Sequence, residues 1–204
     1  MTGFRDWLTH TAAYTTTIFR EGTPPGAGVN NCIEWARTQT LVLEALGVKA
    51  RAVPVDVMVG NMAAHHQLMH NEPLTDEQVA AGAWTLGVYH GQQGPTGGWD
   101  GHLVVTVRQP SGPRILLDGT ADQFARPARG IDVPALVMMN LPALWAEPVF
   151  THPDRHTGII RYIPMPPQAP AAQVWKGSNA WNNPNLPPTA DWIVDQLDPW
   201  VDVA

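Results

Sequence analysis

The chain has 204 residues, of which 44% are hydrophobic and 15% charged, a balance that excludes a disordered protein or a coiled coil and suits one domain with a continuous core. Its formal charge of −6 argues against nucleic-acid binding through a diffuse basic face. The single cysteine, Cys32, excludes an intrachain disulfide framework, so the sequence does not imply an oxidising compartment.

Targeting signals are not evident in the sequence. The first residues lack a basic stretch followed by an apolar run, which would mark a signal peptide. No segment reaches the ~18 consecutive apolar residues that a membrane span needs. We therefore expect a soluble cytoplasmic protein whose partners include neither a membrane nor a nucleic acid.

The first predicted elements are two helices. Residues 4–20 read as a helix that ends in a turn region rich in glycine and proline. A second helix is predicted over residues 31–46, because Asn30 or Asn31 can cap its start and Gly47 suits the position after its end. Most of the circumference of this second helix is apolar, so we expect other parts of the protein to enclose it.

Strands and a helical insertion follow. The alternating pattern over residues 48–59 predicts a strand. Residues 61–82 look like an insertion of two short helices, the second opened by a capping box of Thr75 and Gln78. Another strand is predicted over residues 83–89.

The clearest predicted element is a β-hairpin. Two short apolar runs, residues 103–107 and 115–117, flank the sequence Gln-Pro-Ser-Gly-Pro, which is a strong turn signal. A turn centred on Ser111 puts His102 and Asp118 in diagonal positions on one face, where side chains can reach each other. A register shifted by one residue would separate them, so this prediction depends on the turn.

The last forty residues are rich in proline and tryptophan. Proline makes up 20 residues of the chain, roughly twice the average share of ~5%, and much of the excess lies after residue 163. The same region contains Trp175, Trp181, Trp192 and Trp200. We expect residues 164–204 to form an irregular strap that packs on the domain and includes a short helix near residues 191–197. A flexible tail that binds a partner through these residues is the alternative.

Three residue types needed for nucleophilic catalysis occur in a suitable order. Cys32 begins a predicted helix, and both the helix dipole and a nearby imidazole favour the reactive thiolate. In this hypothesis Cys32 attacks a carbonyl carbon, His102 moves the proton, and Asp118 orients the imidazole. Each residue also has a structural interpretation: a buried thiol, a histidine at a strand start, an aspartate in a turn.

The reaction also needs donors for the developing oxyanion. The backbone N–H of Cys32, at a helix start, is one candidate. The candidates for a second donor, which can also contact the substrate, are Asn31, Gln39 and Trp99.

Four segments resemble the transglutaminase-like superfamily of cysteine enzymes. Residues 31–36 (NCIEWA) and 43–53 (LEALGVKARAV) are similar to its nucleophile helix and the strand after it. Residues 101–107 (GHLVVTV) and 116–120 (LLDGT) are similar to its histidine and aspartate strands. The resemblance implies an α+β, papain-like fold, with the nucleophile helix packed on an antiparallel sheet.

The resemblance also implies a function. Cys32, His102 and Asp118 match the family's triad, which implies a cysteine-dependent amide hydrolase or acyltransferase of the protease, deamidase or transglutaminase type. Its substrate would be a protein, a peptide or a small amide, and it would need no cofactor. Residues 1–163 would form the catalytic domain, with the insertion at about 61–82.

Two related interpretations stay open. Residues 118–124 (DGTADQF) are also similar to papain-fold toxin and deamidase domains. The Cys32 segment and the spacing from His102 to Asp118 distantly resemble arylamine N-acetyltransferases, which implies acyl transfer. A catalytically inactive module of the same fold, acting in binding or assembly, is the alternative to any enzyme.

A histidine cluster in the insertion is the rival candidate, as a metal site, but it lacks parts of the usual motif. His66 and His70 are four residues apart and share a helix face, as ligands do in some zinc sites, with His65 beside them. However, Gln67 stands where the hydrolytic zinc motif has a glutamate, and the chain has no second thiol. We therefore predict no metal.

Overall fold

The fold is taken from a computed structural model, which describes residues 3–22, 31–88, 101–151, 158–166, 168, 169 and 171–198. The α-helices of this part of the chain are α1 (Phe4–Glu21), α2 (Cys32–Ala45), α3 (His65–His70), α4 (Asp76–Ala80), α5 (Ala171–Val174) and α6 (Leu186–Val194). Its strands are β1 (Ala50–Asn61), β2 (Thr85–Val88), β3 (His102–Val107), β4 (Ile115–Asp118), β5 (Val137–Asn140), β6 (Val149–Phe150) and β7 (Gly158–Pro164). Short 3-10 helices cover Met62–Ala64, Ala121–Phe124, Pro127–Arg129 and Trp175–Gly177.

The strands form one antiparallel sheet with the order β5-β4-β3-β1-β7-β6, and β2 also pairs with β1. β1 is the centre of this sheet. Its residues 50–55 pair with β3, and its residues 55–61 pair with β7. β2 pairs with residues 57–60, so it lies on the edge of β1 opposite β7, beyond the end of β3.

Both faces of the sheet are covered. Alternate residues of a strand point to opposite faces. Leu103 packs on one face with Leu8 of α1 and Trp35 of α2. Val104 packs on the other face, in a cluster that includes Phe124 from the segment after β4. The protein is therefore α+β, with helices packed on an antiparallel sheet, as the sequence predicts.

The ends of α2 follow from local sequence. The helix begins at Cys32, with Asn31 in the N-cap position, but the Asn31 side chain makes no capping hydrogen bond. Gly47 has φ +80°, a left-handed conformation that glycine adopts without steric cost, and the helix ends just before it. The predicted termination by Gly47 is confirmed.

The two short helices predicted between residues 61 and 82 are present. Residues 61–82 contain α3 and α4, and α4 is opened by the predicted capping box. The backbone N–H of Gln78 donates to the Thr75 hydroxyl at 3.3 Å, while the N–H of Thr75 donates to the Gln78 amide oxygen at 2.8 Å. The strand predicted over residues 83–89 is shorter, since β2 covers Thr85–Val88 and residue 89 lies outside the described part of the chain.

The proline-rich region differs from its prediction in one element. α6 begins at Leu186, several residues before the predicted start at residue 191. Pro187 and Pro188 lie in its first turn, where the missing N–H groups have no helical acceptor in any case, so they do not interrupt the helix.

The tryptophans of this region dock on the domain to different extents. Trp175 is buried in the cluster that contains Trp35, and Trp181 packs against the same cluster. Trp192 is 48% exposed, and Trp200 lies outside the described residues. Among the described helices, none is both long enough and apolar enough to cross a lipid bilayer.

Candidate active site

The β3–β4 hairpin brings a histidine and an aspartate together. Val105 pairs with Leu117 and Val107 with Ile115, which is the register predicted for a turn centred on Ser111. With this register, His102 Nε2 lies 2.8 Å from Asp118 Oδ2. The predicted contact between the imidazole and the carboxylate is therefore confirmed.

The Asp118 carboxylate is buried and receives several hydrogen bonds. Its Oδ1 accepts from the backbone N–H of Thr120 at 3.0 Å and from the Thr120 hydroxyl at 3.1 Å. Its Oδ2 accepts from the Tyr162 phenol at 2.9 Å, in addition to the bond from His102. These donors compensate the cost of removing a carboxylate from water, so the group can stay ionised.

Cys32 lies at the start of α2 and is 6% exposed. The thiol is one of the groups that raise the pKa of the His102 imidazole, so the two side chains are neighbours. Asp118 engages Nε2 of the imidazole, so Nδ1 is the ring nitrogen that does not face the carboxylate. The three residues proposed from the sequence thus come together as a series of sulfur, imidazole and carboxylate, in which the imidazole and the carboxylate are hydrogen-bonded.

Trp35 holds α2 against the strand that carries Asp118. Its indole N–H donates to the Thr16 hydroxyl of α1 at 3.1 Å, and its ring is fully buried. A Cβ atom at Gly119 would lie 2.1 Å from the Trp35 ring, which is far inside van der Waals contact. Only glycine allows this approach, which keeps the start of α2 close to the end of β4.

The electrostatics of the series favour charge separation. Burial alone would lower the pKa of His102, but the charge and hydrogen bond of Asp118, with smaller contributions from Cys32, raise this pKa from 6.5 to about 10. Burial alone would raise the pKa of Asp118, but His102 in particular, with Thr120 and Tyr162, holds it below its usual 3.8. Burial and the Asp118 charge raise the pKa of Tyr162 well above 10.

Three side chains around His102 and Asp118 are absent from the sequence prediction. Gln123 Nε2 lies 2.8 Å from His102 Nδ1, and the Phe124 ring packs edge-on against the imidazole with the ring centroids 5.0 Å apart. Both belong to residues 118–124, the segment that is similar to papain-fold toxin and deamidase domains. That similarity is the sequence signal that could have led to them. The third side chain, Tyr162, carries no such signal, because it comes from β7.

The three candidates for the second oxyanion donor have different positions. Asn31 adjoins Cys32, is half-buried, and stays a candidate. Gln39 is on α2 two turns after Cys32, about 10 Å along the helix axis at roughly 1.5 Å per residue. It is fully buried, and its amide has no hydrogen-bond partner among the described residues. Trp99 lies outside the described residues.

The histidines of the insertion lie apart from this series. The His66 and His70 rings are 4.5 Å apart on α3, and His66 lies 3.7 Å from the carboxylate of Glu72. Within the described ranges, no three histidine, cysteine, aspartate or glutamate side chains come together as metal ligands would.

The chemistry available to the series is proton transfer coupled to attack by sulfur. A thiol that gives its proton to an imidazole becomes a strong nucleophile, and the carboxylate stabilises the cation that forms. The same geometry is also a buried polar network that stabilises the fold. The chain matches no protein-family model, and no curated protein and no solved structure is significantly similar to it.

Proposed function

We propose that the protein is a cysteine-dependent amide hydrolase or acyltransferase with a papain-like, transglutaminase-like arrangement of its catalytic groups. The observation that carries the proposal is that one buried imidazole contacts both the only thiol of the chain and an ionised carboxylate. A buried histidine held between two such groups has the partners that a general base of a thiol enzyme requires.

The first half of the proposed reaction forms a thioester. Cys32 gives its proton to Nδ1 of His102, and the sulfur attacks the carbonyl carbon of an amide. As the tetrahedral intermediate collapses, the C–N bond breaks and the amine leaves with the proton from Nδ1. Asp118 keeps the other ring proton on Nε2 and stabilises the imidazolium throughout.

The second half releases the acyl group. A water molecule, or an amine in the transferase variant, gives a proton to Nδ1 and attacks the thioester carbonyl. The C–S bond then breaks, and the sulfur leaves as the thiolate, which recovers the proton from Nδ1. The backbone N–H of Cys32 supports the oxyanion in both halves, because the first amides of α2 have no helical acceptor.

The proposal is tested by the reactivity of the single thiol. We expect iodoacetamide to alkylate Cys32 readily near neutral pH, and His102→Ala to slow alkylation strongly because the thiol loses its base. His65→Ala is the matched control, since His65 is exposed and lies on α3. The rate of alkylation is followed by the intact mass of the protein. The alkylated thiol must be Cys32, because the chain has one cysteine.

A second probe tests acyl transfer itself. With p-nitrophenyl acetate, Cys32 should gain an acetyl group as p-nitrophenolate leaves, and the His102→Ala variant should not. Slow reaction of the wild-type protein with both reagents, unaffected by His102→Ala, would reject the enzyme and favour the binding or assembly module.

A further inference from the structure

Gln123 occupies the side of the imidazole that the proposed reaction uses. Its amide Nε2 lies 2.8 Å from His102 Nδ1, and the residue is 8% exposed. It lies in the 3-10 helix that directly follows β4, where Phe124 packs on the same imidazole. Since Nε2 of the ring faces Asp118, the proposed reaction requires the Cys32 thiol to use Nδ1, the nitrogen that Gln123 contacts.

A neighbouring hydroxyl favours one orientation of the Gln123 amide. The Thr120 hydroxyl donates its proton to Asp118 Oδ1 at 3.1 Å, so its oxygen is free to accept. Gln123 Nε2 lies 3.5 Å from that oxygen. An amide NH₂ group only donates, so both contacts of this nitrogen require an acceptor. With the amide in this orientation, Nδ1 of His102 is an acceptor and carries no proton.

This contact opposes the effect of the neighbouring charges. Asp118 and Cys32 favour the imidazolium, which must carry a proton on Nδ1 as well as on Nε2. A donor directed at Nδ1 favours the neutral ring instead. The imidazolium needs a proton on Nδ1, whereas the Gln123 donor needs a lone pair on the same nitrogen. The imidazolium can therefore form only when the Gln123 amide turns or moves away.

We propose that Gln123 is a positioning residue that competes with the Cys32 thiol for Nδ1 of His102 and so restrains formation of the thiolate–imidazolium pair. This inference rests on the proposed function of the thiol. The amide acts through the imidazole and needs no contact with the substrate. Its removal leaves Nδ1 to the thiol alone, so the thiolate forms at lower pH.

Among the described residues, the charged and titratable groups near this contact come from several elements, and few touch the imidazole. Asp118 and Cys32 contact the ring, and Tyr162 reaches it only through Asp118. Arg126 donates to the backbone carbonyl of Gln123 at 2.9 Å, and Asp122 pairs with Arg20 at 2.5 Å. Replacing the Gln123 amide therefore changes the surroundings of Nδ1 without removing a charge.

The test is the pH profile of alkylation of Cys32 by iodoacetamide, measured from acidic to alkaline pH in Gln123→Met and Gln123→Asn. Methionine has a similar length without the donor, and asparagine withdraws the amide from the ring. We expect the midpoint of the profile to move down by about 0.3–1 pH unit, the effect of one hydrogen bond of ordinary strength. On the acid side this equals a rise in rate of roughly two- to ten-fold.

The controls separate this proposal from a structural effect. The midpoint is read from the shape of each variant's own pH profile and does not depend on the absolute rate. A change in access to the thiol alters the alkylation rate at every pH but leaves the midpoint where it was. Gln196→Met, at an exposed position after α6, should leave the profile unchanged. If Gln123→Met unfolds at lower temperature than the assay needs, Gln123→Asn decides the question.

The outcomes also distinguish this proposal from the proposed function. An unchanged or raised midpoint in a folded Gln123 variant, with a wild-type profile that depends on His102, overturns the role of Gln123 alone. A wild-type profile that is the same in His102→Ala overturns the proposed function, and the role of Gln123 with it.

Discussion

Replacing Tyr162 with phenylalanine removes one hydroxyl from the buried surroundings of Asp118 and leaves the shape of the side chain intact. Tyr162 is fully buried, and its phenol donates to Asp118 Oδ2 at 2.9 Å. A hydrogen bond to a charged group contributes about 1.5–3 kcal/mol to the free energy of unfolding, and the carboxylate has no access to water as a substitute. We expect Tyr162→Phe to lose about that amount near neutral pH.

The pH dependence of this loss identifies its cause. The pKa of Asp118 is lowered in the folded state, so the ionised carboxylate stabilises the protein above about pH 4 and this contribution is lost as the pH falls further. The phenol is one of the groups that lower this pKa. The difference in unfolding free energy between wild type and Tyr162→Phe should therefore shrink as the pH falls through the titration of Asp118.

The assay is urea unfolding followed by tryptophan fluorescence, at about pH 7 and again below about pH 4. The nine tryptophans provide the signal. Tyr14→Phe is the matched control, because Tyr14 is a half-buried tyrosine of α1 away from the carboxylate, and we expect it to cost less than about 0.5 kcal/mol. Equal losses in the two variants at neutral pH, or a Tyr162→Phe loss that does not change with pH, would refute this account of the carboxylate.

Three other substitutions test separate parts of the structure. Gly119→Ala should destabilise the protein by about 1–3 kcal/mol or prevent folding, because its Cβ overlaps the Trp35 ring, and urea unfolding measures this. Trp175 is buried, which indicates that the proline-rich region is part of the fold, so Trp175→Ala should lower the free energy of unfolding by about 3–5 kcal/mol. An unchanged melting temperature would contradict this. His102→Gln should lose most stability below about pH 6.5 and progressively less as the pH rises toward 10, since the raised pKa of His102 means that its charge stabilises the folded state in that range. A loss that grows with pH would show the opposite sign and reject the His102–Asp118 ion pair.

Elements that depend on local chemistry could be predicted from the sequence. The capping box at Thr75, the end of α2 at Gly47 and the β3–β4 register all follow from residues within a few positions of each other. The contact between His102 and Asp118 belongs to this class, because the turn between the two strands sets it.

Elements that depend on distant pairing could not be predicted in this way. β7 has no clean alternation, because residues 158–162 are buried on both faces, and a short apolar run is ambiguous between strand and helix. Its partner is β1, about a hundred residues earlier in the chain. The phenol of Tyr162 was therefore missed, although it is one of the donors to Asp118.

Gln39 and Gln123 illustrate the same limit for single side chains. Both are buried glutamines, and the sequence analysis named Gln39 as one of three candidate donors but assigned no role to Gln123. The helical rise carries Gln39 away from the thiol, while a tight turn after β4 carries Gln123 back onto the imidazole.

Because β1 lies at the centre of the sheet, the ionisation of Asp118 depends on the late pairing of β7 with β1. His102 and Thr120 reach Asp118 from the same hairpin, whereas Tyr162 reaches it across β1 from a strand made much later in synthesis. A nascent chain that ends before residue 158 contains the hairpin but not the phenol. Full acidity of Asp118 is thus acquired only when the last long strand has joined the sheet.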